Sequence, residues 1–287
     1  MKVYFFNDTR SSSHAGCHAV CRSLDAALAE VPGLTVVARH MTGDFFVDPA
    51  AFEEADAIFI NGEGTIHHSA KGALLLLSAI ETAKAAGKAV LLVNALFQQY
   101  EAPVADILAD LSLLCVREPR SAAFARRFGG APLVLLDSSA DPRFLQRGQP
   151  LPVRHRRMIG GAHRAGLIAD PFEGIEGQRL TMRGATFEDI VATLKEAEIY
   201  LTAQHHGVYA AALAGCPFVA TPSNSHKIEA FIDWTGLPIP VCMKRAEIEP
   251  AMRFALANRS MFSELQDFLR SQRVLDGPMI ARALGAG

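Results

Sequence analysis

The sequence has little of what marks membrane-spanning, nucleic-acid-binding and disulfide-rich proteins. Its longest strongly apolar stretch, residues 73–80, is far shorter than the roughly 20 residues that a membrane-spanning helix needs. The 28 Lys and Arg residues against 30 Asp and Glu leave a formal charge of −2, which provides no basic surface for nucleic acid. The five cysteines are scattered through apolar segments, so the chain suits a reducing compartment.

What is present is the composition of a globular protein. Half of the 287 residues are apolar and a fifth are charged, well outside the disordered class. The length favours two domains of ordinary size over one large core. The first ten residues, MKVYFFNDTR, contain too short an apolar run for a signal peptide and favour a first β-strand. We therefore expect a cytoplasmic protein.

Strand and helix signals alternate along the chain, which predicts an α/β fold with mainly parallel sheets. In the first half, strands are predicted at residues 2–6, 34–38, 57–60, 89–93, 113–116 and 133–136. In the second half, a helix over 187–197, a strand over 198–202, a small-residue helix ending at Gly215 and a strand over 218–221 repeat the alternation. We predict two Rossmann-like domains facing each other across a cleft, over residues 1–145 and 146–287, joined by the proline- and arginine-rich stretch 141–157.

The third predicted strand runs directly into a polar segment, NGEGTIHH, at residues 61–68. In a parallel sheet, ligands bind beyond the carboxyl ends of the strands. Asn61 lies at that edge, and Gly62 and Gly64 would let the backbone pass close to a ligand. Glu63 would repel a phosphate, so it is typical of a general acid or base that meets a hydroxyl. The alternative is a tight turn in which Glu63 caps the following helix.

Two further polar groups follow the last strands of the first half. Arg117 ends the strand at 113–116, where its guanidinium can hold a carboxylate or phosphate in a bidentate manner. Ser121 lies in the first turn of the helix that follows. Asp137 closes the strand at 133–136, and it is equally typical of a helix cap and of a catalytic carboxylate.

In the second half, polar residues gather at two helix starts. Gln204, His205 and His206 open the small-residue helix, where the helix dipole favours a neutral imidazole. After the next strand, Ser223, Ser225 and Lys227 form a helix start suited to phosphate. We interpret His206 as a candidate catalytic residue and the other residues of both groups as binding residues. 

A metal site is the weakest of the possibilities that the sequence raises. Cys17 and Cys21 are spaced i,i+4 on a predicted helix, with His14 and His18 close by. Because no second ligand cluster follows at zinc spacing, we expect a plain helix with partly buried thiols and no metal.

Taken together, these segments resemble the polysaccharide pyruvyl transferase family over most of the chain. The resemblance lies in the segments NGEGTIHH, CVREPRSAAFARRFG, LLDSSADPRF and LTAQHHGVYAAALAGCPFVATPSNSHK. The last block of the family reads Arg-Leu-His-Gly, then a small-residue helix, Gly-x-Pro and a distal Lys. The matching residues here are His206, Gly207, Gly215, Pro217 and Lys227. Gln204 stands where the family has arginine, and His205 where it has leucine.

The resemblance implies a GT-B-like fold and a cytoplasmic transferase of polysaccharide biosynthesis for the cell envelope. It implies transfer of a pyruvyl group from phosphoenolpyruvate to two sugar hydroxyls as a ketal, without a cofactor. His68, Arg117 and His206 would then surround the donor: Arg117 would hold its carboxylate or phosphate, and the catalytic residue His68 or His206 would transfer protons. The acceptor and catalytic groups would lie in the N-terminal domain and the donor phosphate in the C-terminal one. The partners would be this donor and a glycan or lipid-linked glycan, with peripheral contact at the inner membrane left open. The missing arginine at Gln204 removes a charge-assisted partner of about 2–3 kcal/mol and admits a different donor.

Two alternatives stay open. Retaining β-Kdo transferases, which use CMP-Kdo, are similar in having an acidic residue after the third strand and an Asp at the close of the first domain. In that case Asp137 would be the nucleophile, Glu63 the general base, and His206 with the Ser223–Lys227 segment the phosphate site. The other alternative is a non-catalytic glycan-binding protein.

Overall fold

The structure is a computed structural model that describes residues 1–44, 46–63, 66–98, 105–161 and 170–286. The chain divides into two units. The first consists of Met1–Ser12, Val20–Ser138 and Val274–Gly287, and the second of Ser13–Ala19 and Ser139–Arg273. Of the predicted site residues, Gly64 lies outside the described ranges.

The first unit is built on a sheet of six parallel strands with helices between them. The strands are β1 (Lys2–Asp8), β2 (Thr35–Met41), β3 (Ala57–Asn61), β4 (Ala89–Ala95), β5 (Leu113–Val116) and β6 (Leu133–Val134). The helices are α1 (Ala15–Ala29), α2 (Pro49–Glu54), α3 (Lys71–Ala85), α4 (Ala105–Leu108) and α5 (Pro119–Arg127). Strands β3 and β5 are buried along their whole length, as expected for a parallel sheet covered on both faces.

The strand order of this sheet, β2-β1-β3-β4-β5-β6, defines where a ligand could bind. From β1 the chain moves to one side to form β2 and then to the other side to form β3. The topological switch point therefore lies at the carboxyl ends of β1 and β3, which pair in parallel up to Phe6 and Ile60. Open parallel sheets bind their ligands at such a point.

Alternating side chains of the sheet form two apolar cores, one on each face. Phe5 and Phe59 belong to one core, with their ring centroids 5.2 Å apart. Phe6 and Ile58 point into the other. This is the period-two pattern of a strand, and each fully buried side chain of this size contributes about 1.5–3 kcal/mol.

The second unit is a smaller parallel sheet of four strands in the order β10-β9-β7-β8. Its strands are β7 (Arg157–Ile159), β8 (Gln178–Arg179), β9 (Ile199–Thr202) and β10 (Phe218–Ala220). Its helices are α6 (Pro142–Leu145), α7 (Phe187–Leu194), α8 (His205–Ala214), α9 (Lys227–Thr235), α10 (Ile248–Ala257) and α11 (Arg259–Ser271). Since β8 and β9 lie on opposite sides of β7, the switch point of this sheet is at the carboxyl ends of β7 and β9.

Helix α12 (Gly277–Ala283), at the end of the chain, belongs to the first unit. Leu275, Met279 and Ile280 are buried in the same core as Phe5. The structure thus differs from the predicted boundary at residues 145 and 146, because it divides the chain after Ser138 and returns the last residues to the first unit. The amphipathic pattern of a helix predicts that one face is buried but not which core receives it.

The predicted alternation of strands and helices is confirmed, and the differences are local. Strand β5 occupies the predicted residues, whereas β6 has two residues instead of four. Helices α2, α4 and α6 and strand β8, which have two to six residues each, were not predicted because such short elements show no periodicity. Within the described ranges, every helix is too short or too polar to cross a lipid bilayer.

Candidate functional site

At the switch point of the first unit, polar groups at the carboxyl ends of β1 and β3 are hydrogen-bonded to each other. The side-chain Nδ2 of Asn7 donates to the carbonyl oxygen of Asn61 at 2.6 Å. Glu63 follows two residues later and is 7% exposed. The Oγ1 of Thr9 donates to Oε2 of Glu63 at 2.8 Å. The structure therefore brings Asn61 and Glu63 together at one edge of the sheet.

The turn after β3 fixes the position of the Glu63 carboxylate. Oδ1 of Asn61 accepts a hydrogen bond from the backbone N–H of Glu63 at 3.1 Å, and its Nδ2 lies 3.4 Å from Oε2. Gly62 packs so closely against β4 that a Cβ atom there would lie 2.7 Å from Cβ of Ala95. Helix α3 begins at Lys71 with Ala70 as its N-cap. The alternative in which Glu63 caps that helix is therefore wrong.

A chain of buried polar groups lies behind Glu63. Sγ of Cys21 is 3.3 Å from Oγ1 of Thr9 and donates to Oδ1 of Asp8 at 3.3 Å. Burial raises the pKa of the Cys21 thiol to about 12, so this thiol stays protonated at neutral pH. Burial also acts to raise the pKa of Asp8, but hydrogen bonds from Arg10 and Cys21 outweigh it and leave that pKa below its usual value. Asp8 is therefore ionised at neutral pH, and its carboxylate accepts the hydrogen bond from Cys21.

His68, the second predicted catalytic residue of this segment, forms a pair with its neighbour. Nδ1 of His67 and Nδ1 of His68 are 2.7 Å apart, so the two rings share one proton in a hydrogen bond. The backbone N–H of His68 donates to the carbonyl of Gln98 at 2.9 Å, which holds this turn in place. The sequence predicts a role for His68 alone, whereas in the structure its ring is hydrogen-bonded to that of His67.

Arg117 and Asp137 form a buried ion pair at the ends of β5 and β6. Nη1 of Arg117 lies 2.7 Å from Oδ2 of Asp137, and the side chains are 2% and 0% exposed. Among the residues that the structure describes, Nε and Nη2 of Arg117 have no hydrogen-bond partner. A guanidinium with spare N–H groups can bind a second oxyanion beside the carboxylate that it already holds.

Ser121 is used to build the start of α5. Its backbone N–H donates to the carboxylate of Glu118, the N-cap residue, at 2.9 Å. Its hydroxyl donates to the same carboxylate and accepts from the backbone N–H of Phe97 at 2.8 Å. Since Ser121 is fully buried, the structure gives it a role in capping and packing.

In the second unit, glycines allow the chain segments at the switch point to approach closely. A Cβ atom on Gly161, just after β7, would lie 2.7 Å from Nε2 of Gln204. One on Gly207, in the first turn of α8, would lie 2.5 Å from Oγ1 of Thr202. Gln204 is the N-cap of α8, yet its side chain makes no capping hydrogen bond. The Gln204 amide therefore stays at the edge where a ligand would meet the N-terminus of α8.

The next strand end of this unit carries two hydroxyls and a lysine. Lys227 is the first residue of α9, and its Nζ donates to Oδ1 of Asn224 at 2.6 Å. Ser223 and Ser225 precede it, and Ser225 is 7% exposed. Within the described part of the chain, neither serine hydroxyl has a hydrogen-bond partner. Buried hydroxyls are nearly always hydrogen-bonded, so these two are candidates to bind a ligand.

His206 contacts residues that lie far from it in the sequence. Its ring centroid is 5.2 Å from that of His14. A Cβ atom on Gly16 would lie only 2.2 Å from Cγ of His206. His205 packs instead on Tyr209, with ring centroids 4.8 Å apart. Burial, with His206 and then Arg183 and Lys227 adding to it, lowers the pKa of His14 to about 3. No local spacing could have revealed the pairing of His14 with His206, because about 190 residues separate them.

The sequence matches no protein-family model and no curated protein sequence. Solved structures with a similar fold are found. UDP-GlcNAc 2-epimerase from Neisseria meningitidis, bound to UDP-GlcNAc, is 10% identical with a TM-score of 0.58, and the match covers 100% of both chains. UGT89C1 from Arabidopsis thaliana, complexed with UDP, is 10% identical with a TM-score of 0.58 and 99% of both chains covered. The spinosyn rhamnosyltransferase SpnG, complexed with thymidine diphosphate, is 12% identical with a TM-score of 0.52, covering 99% of this chain and 100% of that one.

At these identities the similarity establishes the fold. Each unit has a parallel sheet with helices in its connections, and the strand orders of both contain a switch point. The chain therefore has a two-domain, Rossmann-like fold of the GT-B class, as the sequence predicts.

Proposed function

We propose that this protein transfers a sugar from a nucleotide-activated donor to a hydroxyl acceptor. The observation that carries the proposal is the position of Glu63, a buried carboxylate held by Thr9 at the switch point of a parallel sheet. The fold supports it, because similar structures include glycosyltransferases and an epimerase described with UDP, thymidine diphosphate or UDP-GlcNAc. The similar structures therefore favour a nucleotide-sugar donor over phosphoenolpyruvate.

We assign the donor phosphates to the second unit. Helices α8 and α9 both begin at the carboxyl edge of its sheet, and the first turn of a helix offers N–H groups and positive potential to an anion. The hydroxyls of Ser223 and Ser225 and the ammonium group of Lys227 add donors at the start of α9. These donors at the start of α9 compensate for the arginine that the polysaccharide pyruvyl transferase family has at the position of Gln204.

We assign the acceptor chemistry to Glu63. The Glu63 carboxylate takes the proton of the acceptor hydroxyl while that oxygen forms a bond to the anomeric carbon of the donor. The bond from the anomeric carbon to the phosphate oxygen breaks, and the nucleotide leaves with the electron pair. Thr9 and Asn61 both approach Oε2 and so orient the carboxylate for this step.

Asp137 has a different role in this proposal from the nucleophile of the retaining alternative. A nucleophile must reach the anomeric carbon, whereas the Asp137 carboxylate is fully buried and paired with Arg117 at 2.7 Å. We propose that Asp137 positions Arg117 and so keeps the positive charge of the guanidinium at the ends of β5 and β6.

Pyruvyl transfer is the second candidate, and one observation favours it. The buried Arg117 has two N–H groups that no described residue binds, and a carboxylate such as that of phosphoenolpyruvate would satisfy both. The two candidates require different donors, so ligand binding separates them.

The first experiment measures the melting temperature of the purified protein with UDP, thymidine diphosphate, CMP or phosphoenolpyruvate. A ligand at 100 times its Kd stabilises the folded state by about 2.7 kcal/mol. We expect a nucleoside diphosphate to raise the melting temperature and phosphoenolpyruvate to leave it unchanged. Stabilisation by phosphoenolpyruvate alone would favour pyruvyl transfer, and stabilisation by CMP alone would favour a CMP-linked donor. No shift with any of the four would contradict both donor assignments.

A pair of lysine variants locates the bound phosphate. Lys227→Met should remove most of the nucleotide-induced shift, because the variant loses the cation at the start of α9. Lys195→Met is the matched control, since Lys195 is exposed at the end of α7 in the same unit. Equal loss in both variants would show that nucleotide binding follows overall charge rather than this site.

A further inference from the structure

Three side chains that commonly bind transition metals come together in the second unit. His14, Cys17 and His206 each offer one ligand atom, and these atoms all lie within 4.8 Å of one another. His206 is 7% exposed, and the other two are partly buried. All three belong to the second unit, because the segment Ser13–Ala19 is grouped with it.

The backbone brings these three side chains to one place. His14 directly precedes α1 and Cys17 follows three residues later, so the two face the same side of the first turn. His206 is the second residue of α8. Gly16 lies between His14 and Cys17, and the His206 ring occupies the space that a Cβ at this position would fill. The missing side chain of Gly16 is what allows His206 to reach the other two ligands.

The structure separates Cys17 from the other cysteine of the same helix. The thiol of Cys21 is bonded to Thr9 and Asp8 in the first unit, at 3.3 Å from each. The i,i+4 cysteine pair of the sequence is therefore not a pair of metal ligands. Cys17 is instead matched with two imidazoles, of which one comes from a distant part of the chain.

We propose that His14, Cys17 and His206 bind a divalent transition metal of the zinc class. Two imidazole nitrogens and a thiolate form a donor set that Zn²⁺ and Co²⁺ accept, at about 2.0–2.1 Å for nitrogen and 2.3 Å for sulfur. Tetrahedral nitrogen and sulfur ligands at those distances are about 3.3–3.6 Å apart, so small side-chain rotations close the present arrangement around an ion. Three protein ligands leave a fourth position for water or an anion. On binding, the Cys17 thiol gives its proton to solvent and becomes the thiolate ligand.

The charges around the site make Cys17 the most important ligand. Arg183 and Lys227 act on His14 with positive potential, which opposes the approach of a cation. The Cys17 thiolate is the group in the cluster that contributes negative charge when it ligates. Its loss should therefore weaken binding more than the loss of either imidazole.

The test is a titration of the full-length, chelator-treated protein with Co²⁺ alone. We expect one equivalent to bind and to produce the absorption of a four-coordinate site, with a near-ultraviolet thiolate-to-cobalt charge-transfer band. Cys17→Ser should remove that band and weaken binding by a factor of about 100 or more, and His14→Gln should weaken it by a factor of about 10 to 100. Cys21→Ser is the matched control, because it changes a buried thiol one turn further along the same helix, and it should keep the band.

The readout does not depend on the proposed sugar transfer, since it needs neither donor nor acceptor. Circular dichroism of each variant, compared with the parent protein, shows that the fold is retained. If Cys17→Ser does not fold, a cobalt band that persists in His14→Gln at unchanged affinity would equally overturn the proposal. Absence of cobalt binding in the parent protein, or a band that depends on Cys21 instead of Cys17, would also overturn it.

Discussion

The carboxyl ends of the strands in the two units differ in how their polar side chains are used. In the first unit, the carboxylate of Glu63 accepts a hydrogen bond from Thr9, and the carboxylate of Asp137 accepts one from Arg117. In the second, the hydroxyls of Ser223 and Ser225 have no hydrogen-bond partner among the described residues. A buried group that is already hydrogen-bonded is oriented for chemistry, whereas one that is not gains most from a ligand. Our proposal accordingly assigns orientation and proton transfer to the first unit and anion binding to the second.

The largest effect is expected from breaking the Arg117 ion pair. Arg117→Ala leaves the Asp137 carboxylate buried without its cation, which should lower the free energy of unfolding by about 3–5 kcal/mol. Urea denaturation measures this. Arg126→Ala, on the exposed side of α5, is the control and should change stability by no more than about 0.5 kcal/mol. If the two substitutions cost the same, the ion pair does not hold this edge of the sheet.

The next effect concerns catalysis in the first unit. Glu63→Gln keeps an oxygen that can accept the Thr9 hydrogen bond but cannot take a proton at neutral pH. Stability should change little, while the rate of sugar transfer should fall by a factor of about 100 to 10,000. The control is Glu81→Gln on the exposed surface of α3. A variant that keeps full transfer activity would remove Glu63 from the role of general base.

A smaller effect is expected in the second unit from Gly16→Ala. The added Cβ would lie 2.2 Å from Cγ of His206, so the imidazole must move. Overpacking of this kind costs about 1–3 kcal/mol, partly offset by the higher helix propensity of alanine. Because His206 is a proposed ligand, its displacement should also weaken cobalt binding. Unchanged cobalt affinity in this variant would show that the position of His206 does not matter for the metal site.

The smallest effect is a pH dependence that arises in the first unit. The pKa of Asp8 is lowered in the folded protein, so its contribution to stability is present above the pKa of the unfolded chain. That contribution is lost as the pH falls through the folded value. Asp8→Asn should therefore flatten the acid limb of the stability curve, measured by thermal unfolding below about pH 4. A variant with the same acid limb as the parent protein would mean that other carboxylates dominate it.

The fold follows from the sequence more fully than the site does. Continuous apolar runs such as Leu113–Val116 predict buried parallel strands, and the position of Glu63 after a strand predicts that it lies at a sheet edge. Pairings across long stretches of chain are not predictable in this way. Periodicity and spacing report local geometry, so the contacts of Thr9 with Glu63 and of His14 with His206 emerge only when the chain is folded.

The central claim, that the strand ends of the second unit bind the phosphates of a nucleotide, is tested most directly by calorimetric titration with UDP. The parent protein should bind one equivalent, and Ser225→Ala and Lys227→Met should each weaken binding by a factor of about 10 or more, since each removes a hydrogen-bond donor to charged oxygen. Binding of UDP with unchanged affinity in both variants, or no binding to the parent protein, would contradict the account.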